Sequence, residues 1–273
     1  TEAALHQDLA TRLARSERKE VYLYVHGFAN TFEDAMFTSA ELWHFLGRQG
    51  VPISYTWPAG RGLSARGYVY DSVSCDFTVF HFKQLLRAIG RCPQVEKVHI
   101  VAHSRGTEVT TAALRELLIE HKHADKTARE ALKLGNVVLA APDLDFDVVQ
   151  ERLGGERVGF MPERVTIYTS PSDRALGLAD ILTLGAIRLG QVQLKGMPPQ
   201  LRQLLNTLPI NMVMATVTSD ATGHSYFTGS PAVSSDIILM LRDNRQPGAE
   251  HGRPLKKHMK NFYEIHDDYL RKK

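Results

Sequence analysis

Cysteine is nearly absent from the 273 residues. Cys75 and Cys92 are too few for a disulfide framework and too far apart for a C-x-x-C motif, so they read as small buried hydrophobes. Long apolar runs are missing too. None approaches the roughly 20 residues that span a bilayer, and the first residues lack the basic-then-apolar order of a secretion signal. We therefore expect a soluble chain, and because it starts at Thr1 rather than methionine we expect its native N-terminus to be missing. Charge is close to balanced, with 33 Lys and Arg against 30 Asp and Glu. The basic residues collect towards the end, where Glu264, Asp267 and Asp268 interrupt them. That mixture predicts a solvated terminal helix and a frayed tail, and implies no nucleic-acid partner.

Repeats, low-complexity tracts and Pro/Gly/Ser linkers are also lacking, so residues 1–273 are expected to form a single domain. Metal-binding patterns fail on inspection. His121 and His123 in "HKH" read as a polar helix end. Asp143, Asp145 and Asp147 imitate the start of a calcium loop, but Val148 stands where glycine is needed and Gly154 where glutamate is needed. These aspartates are expected to cap a helix or support a site. We expect no metal and no organic cofactor.

What the chain does have is alternation. Short β-branched or aromatic runs at Val21–Val25, Ile53–Trp57, Val98–Val101, Val137–Ala140, Val165–Tyr168 and Met212–Val217 read as buried strands. Helical spacing fills the gaps, as in Val79, Phe82, Leu86 and Ile89. Thr31 with Asp34 predicts a capped helix start, and Gly50 a stop before the next strand. Strand and helix in turn predict a mainly parallel central sheet with helices on both faces, and ligands at the strands' C-terminal ends. The least regular stretch, 175–209, holds two apolar helical pieces around Gly196, Met197, Pro198 and Pro199, and is a candidate cap or lid.

Chemistry concentrates at these strand ends. "VAHSRGTEV" carries a strand into a helix through Ser104, the geometry of a nucleophile elbow, with Ala102 and Gly106 as the small flanking residues. The first position is alanine where the pattern has glycine. A serine ahead of a helix also serves as an N-cap, and Thr107 rather than Glu or Gln follows three residues on, so a capping box is absent. A nucleophile needs partners. His26, Gly27 and Phe28 end the first strand, where the Phe28 N–H, with that of Arg105, is placed to hold an oxyanion. Asp173 in "TSPSDRAL" follows the strand ending at Tyr168 and is the candidate acid, with a helix cap as its competing role and Asp143 as its rival. His224 in "TGHSYF" follows the last strand and is the candidate base, with Gly223 letting the loop turn. Ser, Asp and His occur in that order, each just past a predicted strand.

With these residues in place the chain resembles the α/β-hydrolase superfamily, and within it a bacterial branch marked by "VHGFANTFEDA", "SYTWPAGRG", "VAHSRGTEV", "AAPDLDFDV", "TSPSDRAL" and "GHSYF". The resemblance implies a three-layer α/β-hydrolase fold, with Ser104 as nucleophile, Asp173 as acid, His224 as base, and Phe28 and Arg105 as oxyanion donors. The antiparallel strands that usually open the sheet have little room before Val21, so they are expected to be missing or shortened. Serine carboxylesterase or lipase-like hydrolysis is the expected activity, on a small ester with an apolar acyl or alcohol group. Trp57, Tyr70, Tyr226 and Phe227 are candidate pocket walls. Thioesterase, acyltransferase and non-catalytic ligand-binding module stay open as alternatives. So do the compartment, bacterial cytoplasm or periplasm, and the oligomeric state.

Overall fold

The computed structural model describes residues 1–59, 64–176, 188–219 and 222–271. Eight strands form one sheet: β1 (Glu20–Val25), β2 (Val51–Tyr55), β3 (Lys97–His103), β4 (Leu134–Ala140), β5 (Arg164–Thr169), β6 (Ile210–Thr216), β7 (Lys256–Met259) and β8 (Phe262–His266). Their order is β2-β1-β3-β4-β5-β6-β8-β7, with every neighbouring pair parallel except β7 and β8. The chain runs from β1 out to β2, then returns to the far side of β1 as β3. That reversal makes β1 and β3 the switch point of the sheet, and a doubly wound sheet places its ligands beyond the C-terminal ends of the strands there.

Alternation along each strand separates two cores. Val21, Leu23 and Val25 of β1 pack with α3 (Ala65–Arg91) and α4 (Gly106–Glu120) on one face, and Tyr22 and Tyr24 pack with α2 (Phe32–Phe45) on the other. A sheet buried on both sides explains why its strands read as continuous apolar runs. The expected start of α2 is observed, with Thr31 and Asp34 forming a reciprocal capping box. Its stop is earlier than expected. The helix ends at Phe45, and Gly47 supplies the left-handed residue beyond the cap, while Gly50 turns the chain into β2.

The expected lack of antiparallel strands ahead of β1 holds, while two further expectations change, at the second strand and at the end of the chain. A helix, α1 (Glu2–Ala14), precedes β1, with Leu9 and Leu13 buried. Among the described residues no strand lies ahead of β1, and the antiparallel edge belongs to β7 at the opposite end. The second strand covers Val51–Tyr55, so Trp57 falls in the loop after it. The predicted terminal helix is instead the β7–β8 hairpin, with β8 buried between β6 and β7. The charges misled because Lys256 and Lys257 sit on the exposed edge strand, whereas Phe262, Tyr263 and Ile265 of β8 are β-forming residues packed inside. Buried Arg253 anchors the approach to this hairpin, donating to both oxygens of Asp236 on the helix Pro231–Asp243 at 2.8 and 2.7 Å. Tyr168 of β5 and Tyr269 donate to the same carboxylate, each at 2.6 Å.

Of the candidate cap, 177–187 lie outside the described residues. The helix Pro199–Thr207 packs Leu201, Leu204 and Leu205 into the core. Among the described residues no helix is long and apolar enough to cross a membrane.

Candidate active site

Ser104 follows β3 directly and holds φ at 50°, a left-handed conformation that costs a non-glycine residue about 1 kcal/mol or more. Its N–H donates to the Ala140 carbonyl at 2.9 Å, and its own carbonyl accepts from the Thr107 hydroxyl at 2.6 Å. These bonds offset the strain by fixing the turn from both sides. The side chain does not cap α4: Arg105 occupies the N-cap position, with no side-chain capping bond. Small residues make the bend possible. A Cβ on Gly106 would lie 2.5 Å from both the Val25 and His26 carbonyl oxygens, so glycine lets α4 start against β1. Ala102, fully buried, fills the position before the turn without forcing strand and helix apart.

Gly27 is the second close approach. A Cβ there would lie 2.7 Å from the Ser104 Cβ. His26 is buried and stacked on Trp57, and its two ring nitrogens are both engaged. Nε2 accepts from the Trp57 N–H at 3.1 Å, which leaves Nδ1 to donate to the Gly27 carbonyl at 3.0 Å. Burial holds this imidazole below its ordinary pKa, consistent with a neutral ring bracing the turn. Phe28 follows, and Ala29 at φ 55° turns the chain away, its N–H reaching Asp71 at 3.4 Å. Neither the Phe28 nor the Arg105 backbone N–H makes a hydrogen bond among the described residues.

Asp173 and His224 come together from the ends of β5 and β6. His224 Nδ1 lies 2.7 Å from Asp173 Oδ2, with the carboxylate side chain completely buried and the imidazole 17% exposed. The other oxygen, Oδ1, accepts the Leu176 N–H at 3.2 Å. The capping and histidine-orienting roles weighed for Asp173 are thus held at once by its two oxygens. Gly223 makes the approach possible at φ 69°, against the backbone of Ser172. His103, one residue before Ser104, receives the other end of the pair: its ring lies 4.8 Å from that of His224, and Phe227 stacks on it at 4.4 Å. The Ser104 hydroxyl itself makes no hydrogen bond among the described residues.

Asp143 is not joined to a histidine. Buried beside the elbow, it faces two guanidiniums, Arg105 Nη2 at 3.3 Å and Arg188 Nη1 at 3.4 Å, and accepts the Tyr68 hydroxyl at 3.1 Å. Tyr68 also packs edge-on against Phe28 and lies under the Arg105 guanidinium at 4.3 Å. Burial, with the carboxylate beside it, pushes the Tyr68 hydroxyl up to about 12. Sequence spacing offered no route to Tyr68, Arg188 or His103, because each is an ordinary residue of its own segment and meets partners from distant segments. Asp145 caps the short helix Phe146–Val149, as expected of that run. Among the four candidate wall residues, Trp57, Tyr226 and Phe227 are buried in the core. The Tyr226 hydroxyl donates to the Tyr168 carbonyl and accepts the Ala141 N–H. Tyr70, 40% exposed, presents the most surface of the four. Among the described residues no three His, Cys, Asp or Glu side chains converge as metal ligands would.

A parallel sheet carrying a strained serine elbow after β3, with an aspartate and a histidine at later strand ends, defines an α/β hydrolase. The chain belongs to the family described as alpha/beta hydrolase of unknown function (DUF900), which matches residues 1–243. No curated protein sequence matches it. Solved structures resemble it distantly. A dienelactone hydrolase from Anabaena variabilis is 10% identical over 83% of this chain and 85% of its own, with a TM-score of 0.45. A predicted CIB-like hydrolase from Thermoplasma acidophilum is 13% identical over 84% and 86%, at 0.43. An esterase from Pyrococcus furiosus is 10% identical over 83% of each chain, at 0.38.

Proposed function

We propose that the protein is a serine hydrolase that cleaves carboxylic esters through an acyl-enzyme. The observation that carries this reading is the 2.7 Å bond between buried Asp173 and His224. It supplies what a capping serine would not need, a base with its tautomer fixed by an acid. With Nδ1–H held by Asp173, the lone pair of the imidazole lies on Nε2, which takes the Ser104 proton as the serine oxygen bonds to the ester carbonyl carbon. The oxyanion so formed would lie between the uncommitted N–H groups of Phe28 and Arg105. Collapse breaks the bond to the alcohol, which leaves with the proton from His224. Water then repeats the sequence on the acyl-serine, releasing the acid and restoring Ser104. Asp173 stays ionised throughout and stabilises the imidazolium.

The test is a fluorophosphonate probe together with a panel of esters and thioesters, run on the wild type and on Ser104→Ala. The expected result is labelling and ester turnover in the wild type and neither in the variant. Thioesters turned over faster, or acyl transfer to an added alcohol exceeding hydrolysis, would redirect the activity within the same chemistry. Absence of both labelling and turnover would sink the enzyme reading and leave a ligand-binding module.

A further inference from the structure

Arg105 contributes more than its backbone. Its side chain is about nine-tenths buried, yet among the described residues Nε and Nη2 have no hydrogen-bond partner. Nη2 lies 3.3 Å from Asp143 Oδ2, close enough for an ion pair but without hydrogen-bond geometry. Asp143 cannot serve Arg105 fully because it is shared. Its Oδ2 already takes the Tyr68 hydroxyl, and its Oδ1 faces Arg188. Among the described residues the other carboxylate near Arg105, Glu108, is engaged by Arg152 at 2.7 Å, and the nearby Cys75 thiol is pushed up to about 12 by burial and so stays neutral. A buried donor without an acceptor is costly, and such groups normally have a partner.

The two unmatched nitrogens define a specific shape. Nε and Nη2 form one edge of the guanidinium, a planar fork that fits both oxygens of a carboxylate. Tyr68, stacked on the guanidinium face, fixes the plane of that fork. The fork belongs to the elbow: Arg105 follows Ser104, the Asp143 N–H reaches the Ser104 carbonyl at 3.5 Å, and Tyr68 touches Phe28. We infer that Arg105, steadied by Asp143 and Tyr68 and flanked by Arg188, is a carboxylate subsite beside the nucleophile, so that the substrate is an ester bearing a free carboxylate a few bonds from the scissile carbonyl. This rests on the hydrolase reading above for its chemistry, though not for binding itself.

The experiment compares nitrophenyl hemisuccinate with nitrophenyl butyrate, which has a similar chain without the charge, each rate corrected with a Ser104→Ala blank for self-hydrolysis. The wild type is expected to favour the hemisuccinate in kcat/KM by about tenfold or more, mainly through KM, the scale of one charge-assisted bidentate contact. In Arg105→Met that ratio falls towards one. Because this variant risks misfolding, the wild type is also assayed on the butyrate with added succinate, which is expected to inhibit competitively where butyramide does not. A ratio at or below one, or succinate without effect, overturns the subsite. Should neither ester turn over, the hydrolase reading fails separately, and the subsite is then decided by whether succinate raises the melting temperature saturably in the wild type and not in Arg105→Met.

Discussion

Replacing Asp173 by asparagine separates its two duties, because each oxygen has its own donor. Oδ2 takes the His224 Nδ1–H at 2.7 Å and Oδ1 the Leu176 N–H at 3.2 Å, in a side chain with no solvent exposure. Asparagine has one oxygen for the two donors. If it stays on Leu176, the amide NH2 faces Nδ1, the imidazole proton moves to Nε2, and His224 can no longer accept the serine proton. If the amide flips, His224 keeps its tautomer, but NH2 opposes the Leu176 N–H with no water to relieve it. An unmatched buried donor costs about 1–3 kcal/mol, which leaves the flipped state at roughly one molecule in six to one in 160. Even there the charge opposite the imidazolium is gone. The expected loss in kcat is at least about a hundredfold and extends towards the ten-thousandfold known for this substitution in serine proteases. Initial rates on nitrophenyl butyrate, normalised to the folded fraction from circular dichroism, measure it. Retention of more than about a tenth of the activity, or a larger loss in Asp143→Asn per folded molecule, would refute the assignment of the acid.

Gly106→Ala places a methyl 2.5 Å from two rigid carbonyl oxygens of the β1 end, so α4 must shift; a cost of about 1–3 kcal/mol and lower kcat are expected, and an unchanged melting temperature would contradict the close approach. Arg253→Met leaves Asp236 buried with two tyrosine donors but no cation, for which we expect a loss of about 3 kcal/mol, read as a lower urea midpoint at an unchanged slope. Acid should weaken the β7–β8 edge. Burial raises the Glu264 carboxyl, but bonds from His258, Lys256 and Thr216 outweigh it and hold the group down at about 2. Since the unfolded value is about 4.3, this stabilisation is complete above that pH and is lost as pH falls towards 2. Glu264→Gln should therefore flatten the acid limb of urea midpoint against pH, and an unaltered limb would count against the pairing.

Much of the architecture was legible in the order of residues because its causes are local. A sheet covered on both faces needs strands that are apolar throughout, and β1, β3, β4, β5 and β6 announced themselves that way. The capping box at Thr31 and Asp34 is a three-residue relation, readable without any tertiary contact. The hairpin at the end escaped for the opposite reason. Its strand character depends on which neighbours cover it, and the charges of an edge strand resemble those of a solvated helix until β8 is seen docked on β6.

The site divides along the same line. Sequence alone determined the residue types, their order and their positions past successive strands, since the elbow, its small flanking residues and the loop glycine at 223 are conditions on backbone conformation. Only the tertiary structure sets Asp173 and Asp143 in different surroundings. Both follow parallel strands, both are buried, and either was chemically able to orient a histidine. The loop after β6 brings His224 to Asp173, while Arg105, Arg188 and Tyr68 take up Asp143, and the chain folds these partners together from segments with no spacing relation in sequence. A carboxylate's role is set by what faces it, and that is a property of the packed sheet edge.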